Sequence, residues 1–463
     1  MQTQARTPLQ LLRRLTRPLP PRPLPHPTRH LTTHRPPKHT TFSWGKGDDG
    51  ELGHGEATYE PLPRRITELD NCRVASLATG VSHSAAVLAS AAGGHVYCWG
   101  SNFFGECAVV PEGFFDTDDD DAILLPVRVG RALVEEDVVE VACGDFGTAA
   151  LTSGGDVFTW GGGAMGHSNL VSDSNPLPIQ FFREIGRRVI TISARGPNTA
   201  ALAVPASNPA STSPELYVWG FYRDAKDGSY VQALSPAIIT GSLSLEMDVT
   251  ALGCGRRAVA VGGIREGRAR CVVFGAGEPR PVSAAPQFPE DDRPRSARAL
   301  ADVWVVDTAA VVDFGRVEDG AGIMQLVIDD GRLCGGSPRA AGYKFFISSL
   351  PRRLKISPLY HPKVTGFALL ENGTIQTFTL PTSPTPLPLT PTQLQMPPSA
   401  RRVTCISTGP NRILVATEDG TIWEWALKLG VPTGTPNRVG VVPGCELLSA
   451  GWTHALASGG VRK

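Results

Sequence analysis

"GVSHSAAVLASAAGGHVYCWG", residues 80–100, crowds Gly, Ser and Ala into its first half, then alternates β-branched and aromatic residues up to a Trp-Gly pair. The first half recurs along the chain: "LATGVSHSAAVL" (77–88) returns as "VACGDFGTAAL" (141–151), "ISARGPNTAALA" (192–203), "ALGCGRRAVAV" (251–261), "ISTGPNRILVAT" (406–417) and "LSAGWTHALA" (448–457). The second half recurs as "DVFTWGGG" (156–163), "ELYVWG" (215–220), "RCVVFGAG" (270–277) and "TIWEWA" (421–426). Turns such as "TSGGDV", "LENGTI" and "TEDGTI" separate the halves, with Gly supplying the positive φ of a tight hairpin. A Pro-containing segment, such as "YEPLPRRITEL" (59–69), "LLPVRV" (124–129) or "NPLPIQ" (175–180), leads to the next repeat.

A period of roughly 45 to 60 residues built from short strands is that of a four-stranded propeller blade, not of a helical solenoid. The expectation is an all-β chain forming a single propeller. Its inner strands carry small residues because blades converge on the axis, while Trp99, Trp160 and Trp219 form apolar plates between blades. His83 and His454 hold matching places in their repeats and read as hydrogen-bonding struts. Gly147, Asn198, Arg256 and Arg412 are read into the same place elsewhere, a mixture no shared catalytic role would tolerate.

The 463 residues carry 50 Gly and 40 Pro, with 41% hydrophobic and 19% charged residues, a turn-rich globular composition. No stretch approaches the ~18 to 20 apolar residues of a membrane-spanning helix. Nine cysteines are scattered without a C-x-x-C pair, which fits reduced, semi-buried residues rather than a zinc site or disulfide framework.

Residues 1–41 hold no acid but include Arg6, Arg13, Arg14, Arg17, Arg22, Arg29, Arg35 and Lys38. That composition is that of a mitochondrial transit peptide, with "TPLQLLRRLTR" (7–17) as its short amphipathic helix and the prolines from Pro18 as its stop. "RHLTT" (29–33) places cleavage near Leu31. A basic arm for nucleic acid or anionic lipid, and a polyproline ligand, are the alternatives. Loss of residues 1–31 would remove six arginines from a chain of formal charge +0, leaving a body with no general pull on nucleic acid.

The motif G-x-x-H-S-A followed by V-Y-x-W-G, together with "FSWGKGDDGELGHG" (42–55), resembles the regulator of chromosome condensation repeat. The resemblance runs from Phe42 to the C-terminus, strongest over 42–163. It implies seven blades as the family norm; eight hairpins are countable here, the weakest being "LVIDDGRLCGG" (326–336) and "FALLENGTIQTF" (367–378). The division is 1–41 as targeting and Pro-rich arm and 42–463 as propeller. The chain ends on an inner-type hairpin and begins on an outer-type strand, so Phe42–Trp44 are expected to pair with Leu448–Ala457 and close the ring.

Propellers are scaffolds, and no phosphate-binding loop, H-E-x-x-H or nucleophile elbow occurs, so the expected function is non-enzymatic, without cofactor or metal. Mitochondrial members of the family imply a matrix scaffold that assists assembly or biogenesis of a large complex, with ribosomal or respiratory subunits as partners and RNA or the inner-membrane surface as further contacts. The rival implied by the founding member is guanine-nucleotide exchange on a small GTPase. Two stretches are the candidate partner-binding sites. The acidic insert carries Asp116, Asp118, Asp119, Asp120 and Asp121; the basic stretch carries Arg352, Arg353 and Lys355.

Overall fold

The computed structural model describes residues 38–91, 93–109, 122–168, 173–207, 214–223, 230–239, 247–256, 258–281, 304–316, 323–329, 365–379, 391–410, 412–428 and 431–460. They form seven four-stranded antiparallel sheets. Blade one is shared between the chain ends: β1 (His39–Gly45) and β2 (Glu60–Arg65) join β27 (Cys445–Ala450) and β28 (His454–Gly460). Blade two is β3 (Val74–Thr79), β4 (His83–Ser90), β5 (Gly93–Ser101) and β6 (Ala122–Arg128). Blade three is β7 (Val138–Cys143), β8 (Gly147–Thr152), β9 (Val157–Gly161) and β10 (Asp173–Pro178), followed by α1 (Gln180–Glu184). Blade four is β11 (Arg187–Arg195), β12 (Asn198–Pro205), β13 (Glu215–Arg223) and β14 (Tyr230–Ile238). Blade five is β15 (Asp248–Cys254), β16 (Val259–Arg265), β17 (Arg268–Pro281) and β18 (Trp304–Arg316). Blade six is β19 (Ile323–Asp329), β20 (Thr365–Leu370), β21 (Ile375–Thr379) and β22 (Thr392–Gln393). Blade seven is β23 (Val403–Gly409), β24 (Arg412–Thr417), β25 (Thr421–Lys428) and β26 (Val431–Val441).

The ring closes where the repeat pattern expects, with Phe42 opposite Ala457, Ser43 opposite Leu456 and Trp44 opposite Ala455. β1 begins at His39, three residues before the expected start of the propeller, because His39–Thr41 continue the pairing to Gly460–Ser458. The eight countable hairpins reduce to seven blades. The stretches from Leu326 and from Phe367 belong to one sheet, β19 and β20 pairing across an insertion, so two weak hairpins are one blade. Each small-residue repeat is also two strands rather than one: in blade two, Thr79 faces Ser84 around a turn at 80–83. The Trp-Gly strand is therefore third in its blade, and the Pro-bearing segment is the outermost strand, where Pro blocks edge-to-edge pairing.

Apolar side chains fill the seams between blades. Trp99, Trp160 and Trp219 are fully buried, Trp99 among Ile66, Leu69 and Leu456 of blade one, Trp160 with Ala78 and Ala85 of blade two, and Trp219 with Ala142 and Leu151 of blade three. Full burial of such side chains contributes upwards of about 2 kcal/mol each. Every innermost strand bulges at the same register, between Val74/Ser76, Val138/Glu140, Val189/Thr191, Val249/Ala251, Ile323/Gln325, Val403/Cys405 and Cys445/Leu447. A bulge increases local twist, which the strands nearest the axis need in order to converge.

Candidate functional site

The innermost strands surround a central channel of about 380 Å³. Its wall is tied blade to blade by side chains that accept main-chain N–H groups of the next blade. Ser76 Oγ accepts from Val141 N at 3.2 Å, Glu140 Oε2 from Ile192 N at 3.1 Å, and Ser193 Oγ from Cys254 N at 3.1 Å. Gln325 Oε1 accepts from Ile406 N at 2.8 Å and Ser407 Oγ from Ala450 N at 3.0 Å. The Thr79 and Ser449 hydroxyls, 2.8 Å apart, link blades two and one.

At one end of the channel, the turns between first and second strands pack backbone against backbone. A Cβ on Gly80 would lie 2.7 Å from the Gly144 carbonyl oxygen, one on Gly409 2.7 Å from that of Gly451, and one on Gly451 2.7 Å from that of Gly80. This contact, not a left-handed φ, is what Gly80, Gly409 and Gly451 supply; in blade four the turn Gly196 instead has φ +63°. His83 and His454 are struts: His83 Nε2 meets Thr148 Oγ1 at 3.1 Å and His454 Nε2 meets Ser84 Oγ at 2.9 Å, each across a seam. Burial lowers their pKa values to about 4 and about 3, so both rings are neutral. Asn198 Nδ2 donates to Arg256 O at 2.7 Å and Arg412 Nη2 to His454 O at 2.6 Å, the same work by other chemistry. The blade-five equivalent is Ala258, not Arg256: Gly255 N bonds Ala258 O as Gly80 N bonds His83 O, leaving Arg256 within the turn.

From there Arg256 reaches across the mouth of the channel. Its Nη2 lies 2.6 Å from Asp145 Oδ1 in blade three, and its guanidinium sits 4.9 Å from the centre of the Trp452 ring in blade one. Arg195 of blade four likewise donates to the carbonyls of Thr408 in blade seven and Ala450 in blade one. These arginines brace opposite sides of the ring, so the channel is strapped across at this end.

The same face bears the loops between third and fourth strands. The Glu51 carbonyl accepts from Ser84 Oγ and Trp99 Nε1, both at 2.9 Å; the Glu106 carbonyl accepts from Thr148 Oγ1 at 2.9 Å and Trp160 Nε1 at 2.8 Å. The two carboxyls cap their own loops, Glu51 Oε2 on Asp49 N at 2.9 Å and Glu106 Oε2 on Phe104 N at 2.7 Å. Burial pushes both up to about 7. Phe103, 55% exposed, stands on the face beside Phe104, which packs on Phe146.

Asp116, Asp118, Asp119, Asp120, Asp121, Arg352, Arg353 and Lys355 lie outside the described residues. The strands that bracket them are described: Ser101 and Ala122 pair at the end of β5 and β6, and Asp329 and Thr365 pair at the end of β19 and β20. Both strand ends open onto the face of Gly80 and Phe103. Sequence reasoning missed Glu51, Glu106, Glu140 and Arg195 and misplaced Arg256; the position of Glu51 and Glu106 seven residues after Trp44 and Trp99 was the available signal. Among the described residues, no group of His, Cys, Asp and Glu is arranged to hold a metal ion, and no helix is long and apolar enough to cross a membrane. Burial pushes the Cys98, Cys107 and Cys143 thiols up, Cys143 to about 12, which suppresses the reactive thiolate.

The class this architecture defines is the seven-bladed β-propeller closed by interlocked chain ends. Within it, models of the regulator of chromosome condensation (RCC1) repeat match residues 38–87, 93–151 and 138–166, so the first blades of this chain are built from repeats of that family. It is 31% identical over 216 residues to the ultraviolet-B receptor UVR8 of Arabidopsis thaliana, covering 46% of this chain and 44% of the receptor. It is 30% identical over 165 residues to the mitochondrial RCC1 domain-containing protein RUG3 of the same plant, covering 35% of each. The chain thus spans less than half the length of these curated relatives. Human WBSCR16 superposes with a TM-score of 0.57 at 17% identity, over 92% of this chain and 100% of that one. Saccharomyces cerevisiae Prp20p, described with its binding to Gsp1p and histones, gives 0.58 at 15% identity over 92% of each.

Proposed function

We propose that this chain is a mitochondrial interaction scaffold, an assembly or biogenesis factor for a large matrix complex, which binds its partners through the loop face. The observation that carries the reading is the distribution of insertions. The connections 102–121, 282–303, 330–364 and 380–391 all leave strand ends of one face. Opposite-face turns such as 153–156, 266–267 and 418–420 are short. Loops held by a rigid scaffold are where binding is placed, and the acidic and basic inserts fall in two of these long connections. The acid-free, Arg-rich leader and the relative named as mitochondrial support the compartment.

The test is affinity purification from mitochondria of the intact chain and two variants, one with residues 112–121 replaced by a Gly-Ser linker and one with Arg352, Arg353 and Lys355 changed to Ser. The expected result is co-purification of ribosomal or respiratory subunits, lost in at least one variant while its melting temperature holds. Recovery of a GTPase whose GDP release the protein accelerates at substoichiometric amounts would replace this reading with nucleotide exchange.

A further inference from the structure

The loops between third and fourth strands of blades one and two begin with the same four-residue turn. Gly50 N bonds Gly47 O at 3.1 Å and Gly105 N bonds Asn102 O at 2.9 Å, so the turn tips are Asp48-Asp49 in blade one and Phe103-Phe104 in blade two. Each turn leans on the next blade: a Cβ on Gly50 would lie 2.8 Å from Leu124 of β6, and one on Gly105 2.8 Å from Ser174 of β10. The two tips therefore stand on neighbouring loops of the same face.

Phe103 is an exposed ring on a fixed mount. It is 55% exposed and meets Phe104 edge-on at 4.9 Å. Phe104 in turn packs on Phe146 at 4.9 Å and covers Gly162, where an added Cβ would lie 2.9 Å from its own. Asn102 ties the loop beneath, its side chain accepting from Cys107 N at 3.0 Å and donating to Val109 O at 2.8 Å. An aromatic side chain held in place before binding loses little conformational freedom when a partner covers it, which is the character of an interface hot spot. Exposed apolar residues such as Leu62, Leu177 and Val431 belong instead to the outer strands of the rim.

The neighbouring tip is acidic. Asp48 is exposed and, among the described residues, makes no ion pair; Asp49 adds a second carboxylate. Lys46 is the one Lys or Arg on 46–55 and 101–109. Carboxylates beside an apolar ring repel phosphate groups and attract an ammonium or guanidinium whose alkyl stem lies on the ring.

We infer, on the reading that partners bind through the loop face, that Phe103 is its anchor and takes a Lys- or Arg-bearing segment of a partner protein. The basic head meets Asp48 and Asp49, and an apolar residue next to it in the segment covers the Phe103 ring.

Affinity purification from mitochondria tests this with the intact chain, F103S, D48K and the rim control L62S. A further chain carrying photoreactive benzoylphenylalanine in place of Phe103 captures whatever touches the ring. F103S and D48K should each lower partner recovery about tenfold, while L62S keeps it. All three sites are exposed, so melting temperatures should stay at the wild-type value. The captured peptide should carry Lys or Arg beside an apolar residue. Unchanged recovery in F103S or D48K, an equal loss in L62S, capture of RNA, lipid or an acidic segment, or no capture at position 103 from an intact complex would each overturn the anchor and leave loop-face binding to other residues. Recovery of no partner by the intact chain would overturn both.

Discussion

Three glutamates, Glu51, Glu106 and Glu140, sit in consecutive seams, and burial raises all three to about 7. For Glu106 the sign follows from linkage: the folded protein holds a proton that the unfolded chain has lost above the ordinary carboxylate range, so stability falls as pH rises to about 7 and then levels. E106Q removes this dependence and keeps an acceptor for Phe104 N and a partner for Ser101 Oγ. Its melting temperature should equal wild type at pH 5 and exceed it at pH 8, with an upper bound of about 3 kcal/mol; equal differences at both pH values would refute the assignment. Backbone makes the second residue-scale prediction. Gly100 has φ +102° and a Cβ there would lie 2.5 Å from the Ser82 carbonyl oxygen, whereas Gly130 has open space. In thermal melts G100A should cost about 2 kcal/mol or more and G130A close to nothing. The Trp-Gly pair is thus legible twice, as an interblade plate and as a bulge that only Gly permits.

Strand identity was easier to read than strand position. The alternation in "HVYCWG" and "DVFTWG" announces β5 and β9, but the small-residue stretch hides a turn, because Gly80-Val81-Ser82 looks like more of the same composition. Blade six was obscured for a different reason: its first two strands are separated by 330–364, and its last is only Thr392–Gln393, too short to show a period. Arg195 and Arg256 were illegible, since their partners lie in blades remote in sequence. Ring closure was legible because an unmatched outer-type strand at one end implies its partner at the other. Deleting residues 38–46 removes β1, uncovers β28 and leaves Trp44's core neighbours Leu414 and Ala455 facing a void. Calorimetry should show a melting temperature lower by ten degrees or more, or loss of cooperative unfolding. A full-length melting temperature would mean that the β1–β28 pair does not hold the ring.

At the scale of the molecule, the propeller is a rigid ring, braced across its axis by two arginines and varied on one face. Cross-linking mass spectrometry on the complex purified from mitochondria distinguishes binding through the loop face from binding through the rim or the opposite face. Partner cross-links should concentrate on Lys46, Lys355 and carboxyls of the 112–121 insert when a carboxyl-reactive linker is added, and the outer rim and opposite-face turns, including Glu68, Glu266 and Glu418, should be spared. Cross-links spread over those rim and opposite-face carboxyls, with none on the loop face, would contradict it.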